Sequence, residues 1–458
     1  VGGRTGLGYR DTAQDAMCIP HADPTMCRLR LEQLLHGQVS AGYGLHLFDP
    51  AWFEPSAGND ACPTVVPTAD KPRIHGLQDV CADDALWLIT AVAEYVRETG
   101  ETDFLDRRIP FADEGEATVY GHLKRALDFS FAQVGVHGVC RGLRADWNDC
   151  LNLGGGESAM VSFLLIWAVG HFCDTARAVG READAEAYAA RAEAMKAVCR
   201  RELWDGKWFL RGITGNGRPI GTHTAREGKV HLESNAWAVL SGAATAEQGV
   251  SCMDAAYRWL FTPYGLMLCA PAYTVRDDGI GFVTRVYPGL KENGSVFSHS
   301  NPWAWVAEAM LGRGDRAWEL YAALLPEKQN DIMEIRQAEP YSYCQFIAGR
   351  DHTAFGRARH PFMTGSAGWS YYAATRYLLG VRPGFRELTV DPCIPHGWDG
   401  FAVTRAWRGA VYRITVDNPQ HVCKGVARIT VDGNPAQRIP LFTGGTHEVT
   451  VTMGKETL

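Results

Sequence analysis

The 458-residue sequence lacks several features that mark particular classes of protein. Its 13 cysteines and 15 histidines include no CxxC or HxxxH spacing, which argues against a zinc site built on either pattern. Its 45 basic and 52 acidic residues give a net charge of −7, so we expect no basic surface for nucleic acid or anionic lipid. With 46% hydrophobic and 21% charged residues, the composition is that of an ordinary soluble globular protein.

No hydrophobic run predicts a membrane span. The most apolar one, residues 160–173, is interrupted by polar residues and is shorter than the ~20 residues that a bilayer requires, so it predicts a buried helix. The first ten residues lack the basic start and apolar centre of a signal peptide. The odd number of cysteines favours a reducing, cytoplasmic location, with neither membrane nor nucleic acid as partner.

Most of the chain shows helical periodicity. Apolar residues recur at helical spacing in nine segments, 84–96, 120–134, 159–178, 185–203, 234–241, 251–260, 302–311, 315–325 and 368–379. Strand signals are scarce between them. The long irregular stretches 49–79 and 264–300 are typical of loops that carry function.

The pattern changes near Arg382. Five β-branched and aromatic runs follow between turn residues, at 388–390, 401–407, 411–416, 427–431 and 447–451. Because strands do not alternate with the helices, an α/β fold is disfavoured. We therefore predict a mainly α catalytic domain at 1–382, a closed helical barrel, and a small β-sandwich or jelly roll at 383–458.

The segment Asp146-Trp-Asn-Asp149 places two carboxylates around an indole, just before a run of three glycines. Asp and Asn often do no more than form Asx turns, and this alternative stays open. However, a Trp face is a platform for a sugar ring, and a neighbouring acid that protonates a glycosidic oxygen is the basic element of glycoside cleavage.

Three further segments, which we predict to be loops or a helix start, hold polar residues: 8–15, 291–299 and 363–368. Thr364-Gly365 before a helix offers a hydroxyl and free backbone N–H groups to an anion, although plain N-capping by Thr or Ser explains this segment better when it is taken alone. Arg10 and Asp11 fit a structural ion pair, and His299 fits a loop histidine. A reaction with one acid, a sugar platform and a bound anion would link them, namely inverting phosphorolysis, since phosphate needs no base to activate it.

Eight segments then resemble one family. They are GYRDTAQDAMCIPH, GYGLHLFDP, GLRADWNDCLNLGGGESAM, TPYGLMLCAPAYT, KENGSVFSHSNPW, AEPYSYCQF, MTGSAGW and DPCIPHGWDGF. In this order they are similar to the inverting phosphorylases of the cellobiose and chitobiose phosphorylase family, glycoside hydrolase family 94. The resemblance implies an (α/α)6 barrel with a C-terminal jelly roll. It implies neither a metal nor an organic cofactor, and inorganic phosphate is the co-substrate.

The resemblance also implies a role for each matching residue. Asp149 matches the general acid, which we expect burial beside Trp147 to keep protonated until it acts. Trp147 would stack on or flank the non-reducing sugar. The other sugar-binding positions implied are Arg4, Asp11, Glu292 and Gln345, and the phosphate-binding positions are Arg10, His299, Thr364 and the backbone of Gly365.

Two segments, YGLHLFDP and TPYGLMLCAPAY, resemble chitobiose phosphorylases more than cellobiose phosphorylases, which implies N,N′-diacetylchitobiose as the substrate. Val286 would then line space for an N-acetyl group, unless it only packs on the barrel rim. Cellobiose or another β-glucoside, an inverting hydrolase and a non-catalytic sugar-binding fragment remain alternatives. Because family members carry an N-terminal β-sandwich before the barrel, we expect this chain to be part of a longer, homodimeric protein.

Overall fold

Helices dominate the chain up to about residue 380. The structure, a computed structural model, describes residues 6–48, 53–55, 65–67 and 76–455. In these ranges the α-helices are α1 (Tyr9–Cys18), α2 (Pro24–His36), α3 (Asp84–Thr99), α4 (Val119–Ala132), α5 (Ala159–Ala178), α6 (Glu182–Glu202), α7 (Leu232–Leu240), α8 (Ala246–Leu260), α9 (Asn301–Met310), α10 (Gly314–Leu324), α11 (Met333–Arg336) and α12 (Ser366–Ala373). All nine predicted helices are confirmed, most of them within a few residues at each end.

The prediction that residues 8–15 form a loop is wrong, because they begin helix α1. Tyr9, Ala13 and Met17 recur at helical spacing and are buried against the neighbouring helices. The intervening polar residues hide this period in the sequence. Two of them, Arg10 and Gln14, are also buried, because they form hydrogen bonds inside the protein.

Six helices form a closed ring of contacts. α1 packs on α3, and the contacts continue through α5, α7, α9 and α12 back to α1. Helices α2, α4, α6, α8 and α10 pack on the outside of this ring. At its centre Trp87, Trp237, Trp303 and Trp369 meet edge to face, with neighbouring ring centroids about 5.4–6.1 Å apart.

Helix α5 is the most apolar helix of the ring. By length and composition it could cross a membrane, but 78% of its most apolar window is buried among the other helices. It is therefore a core helix of this fold, as the sequence predicted for residues 160–173.

Short strands join the helices at the ends of the ring. They are β1 (Leu7–Gly8), β2 (Leu47–Phe48), β3 (Phe53–Pro55), β4 (Val65–Pro67), β5 (Arg108–Pro110), β6 (Glu116–Thr118), β7 (Glu157–Ser158), β8 (Gly212–Ile213), β9 (Pro219–Ile220), β10 (Val230–His231), β11 (Phe261–Thr262), β12 (Gly265–Leu266), β13 (Cys269–Ala270), β14 (Val296–Phe297), β15 (Cys344–Ile347) and β16 (Ala358–Pro361). Strand β14, at the edge of the antiparallel sheet β14-β15-β16, leads into the 3-10 turn before α9.

The last part of the chain is made of strands, as predicted. They are β17 (Val381–Pro383), β18 (Glu387–Val390), β19 (Gly400–Trp407), β20 (Ala410–Asp417), β21 (Val426–Val431), β22 (Asn434–Ala436), β23 (Ile439–Pro440) and β24 (Thr446–Met453). One sheet has the order β19-β20-β24-β21-β22 and the other β17-β18-β23. Alternate residues of β20 are buried in a second hydrophobic core, separate from that of the helices.

The strands contact the C-terminal end of α3. Trp407 Nε1 donates to the carbonyl of Arg97 at 3.0 Å, and Arg408 donates to that of Val96 at 2.8 Å. Trp407 thus supplies a donor to a carbonyl of the last helical turn, whereas the Val96 carbonyl accepts from Arg408 in addition to the backbone N–H of Gly100. The strands therefore contact the helical ring at the C-terminal end of α3.

Candidate active site

A cavity of about 370 Å³ opens at the N-terminal ends of the ring helices. Its lining comes from the start of α1 and from the segments before α5, α9 and α12. Nine of the predicted site residues line it, namely Arg10, Asp11, Trp147, Asp149, Glu292, His299, Gln345, Thr364 and Gly365. Arg4 lies outside the described residues. Val286 does not line the cavity, and its carbonyl accepts a hydrogen bond from Asn293 Nδ2.

The two aspartates of the Asp-Trp-Asn-Asp segment have different surroundings. Asp146 is fully buried and accepts from Arg211 at 2.6 and 2.8 Å and from Ser158 Oγ at 2.5 Å. Burial works to raise the pKa of Asp146, but Arg211 and these hydrogen bonds hold it below its usual range. Asp146 also accepts from the backbone of Asn148, so the Asx turn considered for this segment is present.

Asp149 faces the cavity, and its side chain is 53% exposed. The burial expected beside Trp147 is therefore wrong, because Asp146 takes the buried position in this turn. One oxygen of Asp149 lies 2.5 Å from a nitrogen of Arg10 and 3.8 Å from Nε2 of His46. The guanidinium of Arg10 thus holds this carboxylate at the edge of the cavity, with the imidazole of His46 nearby.

Arg10 is the buried link between Asp149 and the protein core. Its other terminal nitrogen donates to Asp83 at 3.1 Å and to the carbonyl of Asp146 at 2.9 Å. Asp83 in turn accepts from Trp87 Nε1 at 2.8 Å. Arg10 is therefore positioned by these partners rather than by Asp11, which was the alternative in the sequence.

His299 and Gly365 lie side by side at the cavity wall. A Cβ on Gly365 would lie 2.7–2.9 Å from the imidazole, so only glycine permits this close approach. Burial and then the nearby charge of Arg10 lower the pKa of His299 to about 3, which makes it neutral at pH 7. Next to it, Thr364 Oγ1 accepts from the backbone N–H of Ser366, the first residue of helix α12.

The remaining predicted residues supply an aromatic wall and polar atoms. Trp147 is 7% exposed, since its ring packs against Phe297, His299 and Trp303. Gln345 Oε1 is buried without a hydrogen-bond partner in the described structure, so it is available to a bound donor. Glu292 accepts from Cys150 Sγ at 3.3 Å.

Sequence reasoning missed His46. Its Nδ1 lies 3.1 Å from Asp84, which raises the pKa of His46 although burial opposes the shift. His46 lies in the quoted segment GYGLHLFDP, but only its contact with Asp149 shows that it belongs to the site.

His46, Cys81 and Asp84 are the one group of described residues close enough together to hold a metal ion. Burial raises the pKa of the Cys81 thiol, which keeps it in the protonated form that metals bind poorly. His46 Nδ1 is already bonded to Asp84. The donor set thus fits a hydrogen-bonded pair behind Asp149 better than a metal centre.

The chain is similar to known proteins over nearly its whole length. The family model described as the catalytic domain of the glycosyl hydrolase 94 superfamily matches residues 1–380. The chain is 59% identical over 462 residues to N,N′-diacetylchitobiose phosphorylase of Vibrio proteolyticus, with 99% of this chain and 58% of that protein covered. It is 32% identical over 461 residues to solabiose phosphorylase of Paenibacillus borealis, covering 99% of this chain and 57% of that protein.

Among solved structures, a rhamnosidase of Bacillus sp. GL1 has a similar fold. The TM-score is 0.53 at 13% identity, over 98% of this chain and 40% of the rhamnosidase. The chain spans less than two thirds of the two phosphorylases above. The match over residues 1–380 shows that the chain belongs to the glycosyl hydrolase 94 superfamily.

Proposed function

We propose that the chain carries the catalytic site of an inverting phosphorylase that converts N,N′-diacetylchitobiose and phosphate into α-N-acetylglucosamine 1-phosphate and N-acetylglucosamine. The observation that carries the proposal is Arg10, which pairs with the half-exposed carboxylate of Asp149 and lines the same cavity as His299, Thr364 and Gly365. An acid and an anion site thus share one cation.

In this reaction Asp149 donates its proton to the glycosidic oxygen. The C1–O bond breaks with its electron pair going to that oxygen, while a phosphate oxygen bonds to C1 from the opposite face, which inverts the anomeric carbon. Phosphate bound at Arg10 would draw the guanidinium away from Asp149, and its negative charge would favour the neutral acid. The proton that phosphate loses on forming the ester balances the one that Asp149 gives up.

The choice of substrate rests on similarity. Identity to the diacetylchitobiose enzyme is 59%, against 32% to the solabiose enzyme. Gln345, with its unpaired Oε1, and the indole of Trp147 offer an acceptor and an aromatic edge to a sugar ring. Both lie in the same cavity as Asp149.

An inverting hydrolase is the second candidate. It needs a carboxylate base opposite the acid, with about 6.5–9.5 Å between the two. Asp11 and Glu292 line the same cavity and are the residues that could fill this role. Phosphate dependence separates the two reactions.

We further propose that the ring of helices is an (α/α)6 barrel and that β17–β24 form a jelly roll, with the domain boundary near residue 382. The closed contacts from α1 through α12 back to α1 support the barrel. The separate hydrophobic core of the strands supports the second domain.

The test is sugar release with and without phosphate. We expect N-acetylglucosamine from N,N′-diacetylchitobiose only when phosphate is present, and much slower release of glucose from cellobiose. Equal release in phosphate-free buffer would support the hydrolase. If neither sugar is cleaved but the disaccharide binds in calorimetry, the chain is a sugar-binding fragment and the proposal fails.

A further inference from the structure

Gln14 lies behind the proposed phosphate site and is 1% exposed. Its Oε1 lies 2.7 Å from Trp369 Nε1 and 2.9 Å from His299 Nε2, and its Nε2 donates to the carbonyl of Arg10 at 3.2 Å. Gln14 therefore contacts both the anion-binding arginine, through its backbone, and the imidazole. Neither the family match nor the sequence motifs assign it a role.

These contacts fix the orientation of the Gln14 amide. An indole nitrogen can only donate, so the atom of Gln14 that faces Trp369 must be the carbonyl oxygen. The same oxygen faces His299 Nε2, and that nitrogen must therefore carry the hydrogen. In the neutral imidazole the other nitrogen, Nδ1, then has a lone pair and no hydrogen.

Nδ1 is on the side of the ring that faces Gly365 and the cavity. A Cβ on Gly365 would lie 2.9 Å from it, and no described residue forms a hydrogen bond with it. His299 thus presents an acceptor in the cavity that Arg10 and Thr364 also line, where the anion is proposed to bind. An anion that accepts only would leave this nitrogen unpaired.

We propose that Gln14 is a positioning residue that makes the site select a protonated anion, through the tautomer it imposes on His299. This rests on the proposed function, since it assumes that phosphate binds here. Phosphate keeps at least one P–OH group at neutral pH and can donate it to Nδ1. Sulfate has the same shape but no hydrogen at this pH, so it cannot make that bond.

The tautomer is tested without any turnover. With the histidine ring nitrogens labelled with ¹⁵N, and the His299 signals assigned by their loss in His299→Gln, we expect Nδ1 to give an unprotonated and Nε2 a protonated signal at pH 7. A protonated Nδ1 in the free protein would overturn the inference, whether or not the chain proves to be a phosphorylase.

Selectivity is tested by calorimetry with inorganic phosphate and with sulfate. A hydrogen bond to a charged group predicts that the wild type prefers phosphate by about tenfold or more. In Gln14→Glu the new carboxylate would stabilise the imidazolium, whose Nδ1–H donates to either anion, so this preference should fall to nearly equal affinities. Gln337→Glu adds the same charge at an exposed position and should keep the wild-type ratio.

A second variant provides a test if Gln14→Glu does not fold. Trp369→Phe removes one of the two contacts that orient Gln14 and leaves the one between its Nε2 and the Arg10 carbonyl, so the flipped amide, which donates to His299 Nε2, becomes less unfavourable. We expect part of the phosphate preference to be lost. An unchanged preference in a folded Gln14→Glu protein would overturn the inference, whereas failure of the wild type to bind phosphate at all would overturn the proposed function and leave the NMR result to decide the tautomer.

Discussion

Asp146 and Asp149 lie three residues apart in the same turn, and each pairs with an arginine from a distant part of the chain. The two pairs differ in their surroundings. Arg211 and Asp146 are both fully buried, and the oxygens of Asp146 are filled by Arg211, Ser158 and a backbone N–H. Arg10 is equally buried, but its partner Asp149 is half exposed in the cavity. The first pair has no face left for a ligand, whereas the second has.

The difference separates structure from chemistry within one motif. A carboxylate whose lone pairs are all occupied holds the loop in place, and one with a free oxygen beside a cavity can exchange a proton. We expect changes in the buried pair, Arg211 and Asp146, to affect stability, and changes in the cavity pair, Arg10 and Asp149, to affect turnover.

The largest effect is expected from Asp149→Asn. Asparagine can still accept from Arg10 but cannot donate an acidic proton, so phosphorolysis should fall by about 10³-fold while the melting temperature stays nearly unchanged. Asp174→Asn is a matched control, since Asp174 is 55% exposed and paired with Arg97 away from the cavity. Near-normal rates of sugar 1-phosphate formation in Asp149→Asn would refute the acid assignment.

Asp146→Ala should act on stability instead. It leaves the guanidinium of Arg211 buried and without its main partner, which costs about 3–5 kcal/mol in the free energy of unfolding. Urea denaturation measures this loss, and adding Arg211→Met should recover part of it. A loss below about 1 kcal/mol would mean that the buried pair of Arg211 and Asp146 does not hold the turn in place.

The smallest effect is expected from Thr364→Val. Loss of the hydroxyl should weaken phosphate binding by about tenfold and, because Thr364 Oγ1 also accepts from the backbone N–H of Ser366, lower stability by about 1 kcal/mol. Thr118→Val is the control, since Thr118 also accepts from a backbone N–H, that of Gly121 in α4, and lies outside the cavity lining. Calorimetry with phosphate should distinguish the two variants, and equal affinities would place Thr364 outside the anion site.

The sequence predicted the helices well where apolar residues mark them clearly. Helix α5 matches its predicted bounds, because apolar residues occupy most of its length. Helix α1 was missed since Arg10, Gln14 and their neighbours are buried by hydrogen bonding rather than by hydrophobicity. Short-range pattern does not reveal such burial.

The site could be predicted only as a set of residues. The motifs contain nine residues that line one cavity. They do not show which aspartate of the turn is buried in an ion pair, because its partner Arg211 lies 65 positions beyond Asp146. His46 and Gln14 went unnoticed for the same reason. The contact from Gln14 to His299 joins positions 285 residues apart.

The measurement that tests the central claim most directly is ³¹P NMR of the chain with N,N′-diacetylchitobiose and phosphate. We predict an α-linked sugar 1-phosphate that grows in step with free N-acetylglucosamine, and neither product when phosphate is left out. Release of two free sugars at the same rate without any phosphate ester would contradict the account.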